Sequence, residues 1–445
     1  MKSKRGSPLL CTNQKHVSIH KTGPSYHRPY WKLLITPFDE EISILNTLNS
    51  SFDRNLSSTD PVSTSISSVR SSIHRQTSDE ACNSSRVKFV PICRLEDQQA
   101  VRTSAFHPSG RYFAVGTNSR QLHKITVGNL HPNGTKISLS FGNVVSIAFR
   151  SPKKAVFDNF NCSNNRADYQ SKAPEILLTR PKQHRGSVYT VAFNPSGELL
   201  ATGSNDKTIR LMQFSAENCR IGSEFDLTFH DGTVRDIIFM EDTTNNTSLL
   251  ISGGAGNCKI NVIDCATGGR LRALDGHTAP ILGLYTWGGC MFVSCSQDKT
   301  TKFWDLRCGQ VVATIYPDAK TSSSPVTSVC VDVTGRLLAS GHEDSTILLY
   351  DIQGSRMLQR YQAHGDQVRT VRFSPGNYYL LSGSYDKKIV ITDMRGDLMG
   401  NLQYLPVAEH GDKIIQCRWH PHDFTFLSTS ADKSVILWSL PAVVQ

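Results

Sequence analysis

The sequence predicts an all-β ring of repeated four-stranded units, a seven-bladed β-propeller, preceded by a largely disordered N-terminal extension. Three observations predict it. A strand–turn–strand unit recurs at about 40–45 residues, the interval of one propeller blade. From Asp298 to Asp344 is 46 residues, from Asp344 to Asp386 is 42, and from Asp386 to Asp432 is 46. The stretch from Asn49 to Arg86 is rich in Ser, Thr, Asn and Asp, and too poor in large apolar residues to offset the entropy of ordering. Between that stretch and the first repeat stands a lone strand-like run, VKFVPICRL, from Val87 to Leu95.

Composition narrows the function classes. The chain has 445 residues and a net charge of +10. No apolar run approaches the ~18–20 residues that span a bilayer. The start, MKSKRGSPLLCTNQK, has no apolar segment after its basic end, which argues against a secretory signal. Twelve cysteines are scattered without a CxxC pair, so no zinc site is indicated and no cofactor is expected. Several, among them Cys258, Cys295, Cys330 and Cys417, fall in strand-like runs and read as buried free thiols of a reducing compartment. The positive balance would suit nucleic acid, anionic lipid or an acidic protein surface. It is spread along the chain, and no RNA-binding signature interleaves aromatic with basic residues. An RNA-associated scaffold is therefore only an alternative.

Taken in order, residues 1–85 form the extension. Within it, Thr36-Pro37-Phe38-Asp39-Glu40-Glu41 has the cap, proline and first-turn acids of a helix start, with Ile42, Leu45 and Leu48 following at helical spacing. Residues 86–445 form the repeat domain. The first repeat holds Val101, Phe106-His107-Pro108-Ser109-Gly110 and Ala114-Val115-Gly116. The second runs from His184 through Phe193 to Thr202-Gly203-Ser204-Asn205-Asp206. The third is looser, with His230, Val234, Phe239 and Ser252-Gly253-Gly254. The fourth contains VSCSQDKTTKFWDL, from Val293 to Leu306, and the fifth Ser340-Gly341-His342-Glu343-Asp344. The sixth carries His364 and Ser382-Gly383-Ser384-Tyr385-Asp386, and the seventh His410 and Ser428-Thr429-Ser430-Ala431-Asp432. One interval is too long. The excess between Ile125 and His184 has no repeat signature and reads as an insertion of about 126–183 in the first blade. It is expected after the third strand, on the face opposite the Asp turns. The lone run Val87–Leu95 is expected to pair with Val435–Leu440 and hide the open sheet edges.

The apolar positions of each blade's first strand predict a surface. They run three, then two: Val188, Val191, Phe193; Val234, Ile237, Phe239; Val368, Val371, Phe373. A regular strand would run two and two. The extra residue predicts a β-bulge, which re-aims a side chain. The residues so aimed are Arg102, Tyr189, Arg235, Leu282, Thr327, Arg369 and Ile415, on the Asp-turn face. Asn205, Gln297, Glu343 and Tyr385, each just before a turn acid, are expected on the same rim. Arg102, Tyr189, Arg235, Arg369, Gln297 and Tyr385 are the candidate partner-binding residues, with chemistry suited to an acidic protein partner.

The recurring Gly-His starts and Trp-Asp ends resemble those of the WD-repeat family, across the chain from Val87 onward. The resemblance implies a hydrogen-bonded tetrad of His, Ser or Thr, Asp and Trp in each blade. His277, Ser294, Asp298 and Trp304 make one full set; His410, Ser428, Asp432 and Trp438 make another. His184, Thr202 and Asp206 lack the Trp, which is Met212 here, and His364, Ser382 and Asp386 have Thr392 in its place. The first and third repeats have lost most of theirs and are expected to rely on apolar packing. A Ser-His-Asp set invites a nucleophile reading, but one that recurs blade after blade is structural, so no catalytic residue and no enzyme is expected. Longer strings, including FHDGTVRDIIFMED, GHTAPILGLYTWGG and GSYDKKIVITDMRGDL, resemble the propellers of the nemitin-like, microtubule-associated branch of that family. That implies a cytoplasmic, cytoskeleton-associated scaffold whose partners are microtubules or minus-end-binding proteins, with no small-molecule substrate and no membrane. The LisH and CTLH helical modules of that branch do not appear in residues 1–85, so the chain reads as a fragment or short form. Trp304, Asp305 and Arg307 also resemble the WDxR box by which some WD-repeat proteins dock on a cullin-4 adaptor, an alternative function as a ligase substrate receptor.

Overall fold

The computed structural model describes residues 88–118, 145–148, 176–180, 183–242, 247–316 and 324–440. The expected disorder of 1–85 and the helix at Thr36 lie outside these residues. Among the described residues all regular structure is strand, and no helix is long and apolar enough to cross a membrane. Strand β1 is Val90–Glu96. The first sheet is β2 (Val101–Phe106), β3 (Phe113–Thr117), β4 (Val145–Ala148) and β5 (Ile176–Arg180). The second is β6 (Val188–Phe193), β7 (Leu199–Ser204), β8 (Ile209–Ser215) and β9 (Arg220–Leu227). The third is β10 (Val234–Asp242), β11 (Thr247–Gly254), β12 (Ile260–Asp264) and β13 (Arg270–Leu274). The fourth is β14 (Ile281–Thr286), β15 (Met291–Ser296), β16 (Thr301–Asp305) and β17 (Gln310–Ile315). The fifth is β18 (Val326–Val331), β19 (Leu337–His342), β20 (Ile347–Asp351) and β21 (Arg356–Tyr361). The sixth is β22 (Val368–Phe373), β23 (Tyr379–Ser384), β24 (Lys388–Asp393) and β25 (Tyr404–Glu409). The last joins β26 (Ile414–Trp419), β27 (Phe426–Ser430) and β28 (Ser434–Ser439) to β1.

Six of these sheets carry described side chains on every strand; in the first, β4 is described by its backbone pairing alone. The inner strands neighbour one another in the order β2, β6, β10, β14, β18, β22, β26, and β26 returns to β2. The chain is thus an all-β propeller. The core lies in slabs between successive sheets. Leu211 and Leu227 of the second pack with Val234, Ile237 and Leu250 of the third, and Ile251 and Ile260 of the third with Phe292 and Trp304 of the fourth. The recurrent Gly of the second strand has a physical reason here. A Cβ on Gly203 would stand 2.6 Å from Cγ1 of Val234, and one on Gly341 2.7 Å from Cγ1 of Val368. In each case the first apolar residue of the next sheet fills the space a side chain would need, so the glycine sets how closely the sheets approach.

The closing strand pairs as the pattern predicts. β1 runs antiparallel to β28, with Val90 opposite Ser439 and Glu96 opposite Ser434, broken by one irregularity between Pro91 and Cys93. The long interval resolves differently from expectation. The third strand of the first sheet is not upstream of Ile125; it is β4, with Phe113 opposite Ala148 and Gly116 opposite Val145. Excess sequence therefore falls in two connections, β3–β4 and β4–β5. The β3–β4 connection leaves from the Asp-turn face, not the opposite one. A four-residue strand inside a long polar interval lacks the flanking turn signature that marks its counterparts.

Candidate functional site

The first-strand spacing has a direct counterpart in the pairing. Every inner strand slips register once against its neighbour: between Val101 and Thr103, Val188 and Thr190, Val234 and Asp236, and Ile281 and Gly283. The same slip follows Val326, Val368 and Ile414. The residue skipped in each case is the one singled out by spacing. Arg102, Tyr189, Arg235, Leu282, Thr327, Arg369 and Ile415 all line a single cavity at the centre of the ring. There the guanidinium groups of Arg102 and Arg235 lie over the Tyr189 ring at 4.4 and 4.8 Å. At the rim, Arg369 and Lys413 approach the Tyr385 ring at 6.0 and 4.8 Å. Arg102 donates through Nε to Asn118 Oδ1. Gln297 is exposed on its turn, its backbone N–H bound to Pro280 O at 2.9 Å, and it does not line the cavity.

Below the bulges lies a polar tier that ties neighbouring sheets together. Gln416 Oε1 accepts from Thr103 Oγ1 at 3.2 Å and from Ser104 N at 2.7 Å. The Asp236 carboxylate accepts from Thr190 Oγ1 at 3.2 Å, from Ile237 N at 2.9 Å and from Leu284 N at 2.8 Å. Both its oxygens are thus occupied by the fold. Arg372 adds a fourth cation to the cavity wall. Burial lowers the pKa of Arg235, and the charges of Arg369 and Arg102 lower it further. Deeper along β26, burial and Arg372 hold Arg418 down to about 9. No sequence motif announced Arg372 or Arg418. Each sits directly between two apolar residues, Val371 and Phe373 or Cys417 and Trp419, in strands that otherwise read as core.

The tetrads do not line this cavity; each ties a His before the first strand to the second strand, the turn after it and, where Trp is present, the third strand. His277 Nδ1 meets Asp298 Oδ2 at 2.7 Å, its Nε2 meets Ser294 Oγ at 2.6 Å, and Trp304 Nε1 donates to Ser294 Oγ at 2.8 Å. His410 repeats this with Asp432 at 2.9 Å and Ser428 at 2.6 Å, and Trp438 donates to Ser428 Oγ at 2.7 Å. His184 pairs with Asp206 and Thr202 at 3.1 and 2.8 Å, and His364 with Asp386 and Ser382 at 3.0 and 2.8 Å. Where the Trp is missing, Met212 Sδ accepts from Gln183 and Thr392 Oγ1 accepts from Tyr361. Burial alone would raise the Asp298 carboxyl, but hydrogen bonds from His277 and Thr300 outweigh it and hold it well below the usual range. Ser294 is wholly buried beneath this network, so no substrate can reach its hydroxyl.

The third sheet has more than apolar packing, contrary to expectation. His230 Nε2 meets Ser252 Oγ at 2.8 Å, and the Asn261 amide lies 3.2 Å from the same nitrogen. Asp231 braces the same turn from its other side, accepting from Asn257 N at 2.9 Å. Burial pushes His230 down to about 4 and lowers His107, His342 and His420 as well. Each of these rings takes up a proton less readily in the fold than in the unfolded chain. Their contribution is present above the unfolded value near 6.5 and is lost progressively as pH falls below it, for His230 down toward 4. The tetrad aspartates, depressed instead, add a loss only below the unfolded carboxylate value of about 3.9. Denaturant unfolding is therefore expected to weaken in two acid steps. His230→Gln should remove about 3 kcal/mol of the upper one, at the ~1.4 kcal/mol that each pKa unit represents. A single step below pH 4 would contradict this.

Arg307 is exposed and grips Asp305, with Nη2 to Oδ2 at 2.6 Å and Nε to Oδ1 at 3.0 Å, while Trp304 is buried. Arg395 grips Asp393 in the same way, with Nη2 to Oδ2 at 2.5 Å. The pair is a repeated feature of strand ends, so its presence does not mark Trp304, Asp305 and Arg307 as a docking box. The described cysteines are all unpaired, and Cys258 lies on the β11–β12 turn at φ +58° rather than in a strand. Among the described residues, no three or more His, Cys, Asp or Glu are placed to hold a metal.

The model of the "WD domain, G-beta repeat" matches residues 176–212, 268–305, 309–351, 355–393 and 403–439. Among curated proteins, the chain is 25% identical to Autophagy-related protein 16 of Arabidopsis thaliana over 237 residues, 53% of this chain and 44% of the relative. It is 27% identical to Protein tipD of Dictyostelium discoideum over 234 residues, 52% of this chain and 36% of the relative. It is 28% identical to Nuclear distribution protein PAC1 of Arthroderma otae over 239 residues, 48% of this chain and 51% of the relative. The chain thus spans about half or less of each.

Proposed function

Because the chain belongs to the WD-repeat proteins, we propose that it is a non-catalytic interaction scaffold, a seven-bladed ring that docks an acidic protein segment at its central cavity. The observation that carries the proposal is the convergence of bulge residues from every inner strand on one cavity, with three arginines and a tyrosine among them. Arginine and tyrosine are among the side chains that most often anchor interfaces. Four arginines line that wall against a single carboxylate, Asp236, whose oxygens already accept from Thr190, Ile237 and Leu284, so the cavity carries net positive charge. Likeness to a nuclear distribution protein and to tipD agrees with an assembly role, and the nemitin-like strings favour a cytoskeletal partner in the cytoplasm. Microtubules, with acidic surface tails, or a minus-end-binding adaptor are the partners of this reading. The recurrence of the Asp–Arg grip at Asp393 and Arg395 gives no observation in favour of a ligase substrate receptor.

Co-sedimentation tests it. Wild-type protein is expected to pellet with microtubules at low salt, directly or with an adaptor, and to be released as salt screens the contact. Arg235→Glu combined with Arg369→Glu should abolish pelleting. Absence of wild-type pelleting in both arms would reject the cytoskeletal partner, and pelleting that survives the double variant would reject the cavity as its site.

A further inference from the structure

The central cavity has more unsatisfied donor capacity than a carboxylate needs. Arg235, Arg369 and Arg372 all line it, and the Nε–H of each is buried without an acceptor among the described residues. Arg372 uses Nη1 on Ser328 Oγ, Val329 O and Val371 O at 3.3, 3.0 and 2.7 Å, which fixes its guanidinium at the cavity floor. Arg235 and Arg369 come from the third and sixth sheets, on opposite sides of the ring. Buried N–H groups are rarely left unpaired, and several like charges facing one space repel unless an anion joins them. The Nε–Nη edge of a guanidinium matches two oxygens of one anion, and a small turn of Arg235 and Arg369 would present that edge to the cavity, above the fixed Arg372.

We propose that this cavity binds a phosphoryl group, held between Arg235 and Arg369 above Arg372. A carboxylate brings one charge and two oxygens. A phosphoryl group brings close to two charges and three acceptor oxygens, enough for three arginines that approach from different sheets. The group is either carried on the docking segment, which rests on the reading proposed above, or free. Tyr189 and Tyr385 contact the Arg235 and Arg369 guanidiniums through ring faces, which take none of their N–H groups.

The test uses the full chain and four probes: inorganic pyrophosphate, and a Gly/Glu decapeptide with a central serine, phosphoserine or glutamate. Calorimetry should show the phosphoserine peptide binding at least about tenfold tighter than the other two, with pyrophosphate displacing it. Arg369→Gln should lose that preference, whereas Arg307→Gln, outside the cavity, should keep it. Without ligand, Arg369→Gln is expected to melt no lower than wild type, because it removes repulsion rather than an ion pair. Binding of pyrophosphate alone, with a raised melting temperature, would support the phosphoryl site and assign it to a free ligand. Equal affinity for the phosphoserine and glutamate peptides would overturn the phosphoryl inference and leave acidic docking intact. No binding of any probe, or wild-type affinity in Arg369→Gln, would also overturn it, and microtubule pelleting would then decide the docking reading separately.

Discussion

A chain begun at Gln98, without β1, is expected to lose its cooperative melt and to associate, whereas one begun at Val87 keeps the full-length midpoint. The comparison isolates one strand. β1 supplies the outer edge of the sheet it shares with β26, β27 and β28, and lies six pairs long on β28. It also brings apolar surface. Phe89, just before it, sets its ring 5.0 Å from Phe426 and 5.9 Å from Phe424, and Leu95 joins Val101, Phe113, Leu427 and Val435. Each such side chain is worth about 1.5–3 kcal/mol on burial. With the lost ladder the total reaches about 5 kcal/mol or more, comparable to the whole stability of many domains. The exposed β28 would then be an unprotected edge that invites pairing with another chain. Circular dichroism melts and size-exclusion chromatography read both effects. An unchanged melt in the shorter chain would mean that the ring does not depend on this closure.

The ring and its bulges were legible because both are written as spacings of apolar residues. Val188, Val191 and Phe193 must all face the core, and only an extra residue lets them, so Tyr189 is driven out into the cavity. Charge placement was legible wherever it rode on that spacing, as for Arg235 and Arg369. Arg372 was not, because its position in β22 is one that other sheets fill with Ala105, Ala192 or Cys330. Nothing local tells a buried cation from a small core residue there. The third sheet's network was hidden for a different reason. The acid that braces its turn is Asp231, before the first strand rather than after the second, and its Asn261 faces Ser252 only through cross-strand register. In the first sheet β4 pairs across a long interval, and pairing of that kind leaves no periodic trace in sequence.

Trp304→Ala is expected to cost about 4 kcal/mol, within the range for removing a buried aromatic. Trp304 is 1% exposed and lies parallel to Phe292, with 5.9 Å between ring centroids and 5° between planes. Its fit is tight enough that a Cβ on Gly276 would stand 2.8 Å from the indole Cη2. Trp304→Phe keeps most of the area but removes the indole N–H that donates to Ser294, and should cost about 1–1.5 kcal/mol beyond the lost packing. Ser294→Ala leaves that N–H without an acceptor and also strips His277 Nε2 of its partner, at about 1–3 kcal/mol. The double variant Trp304→Phe with Ser294→Ala should cost less than the sum of the two, because the first change removes the donor that the second orphans. Denaturant midpoints at constant m-value measure each step. Strict additivity would mean that Trp304 and Ser294 act independently, and that apolar packing rather than the His277–Asp298 network locks this blade. None of these changes should alter ligand affinity at the central cavity, since the network faces the interior of the fourth sheet and Arg235 and Arg369 belong to others.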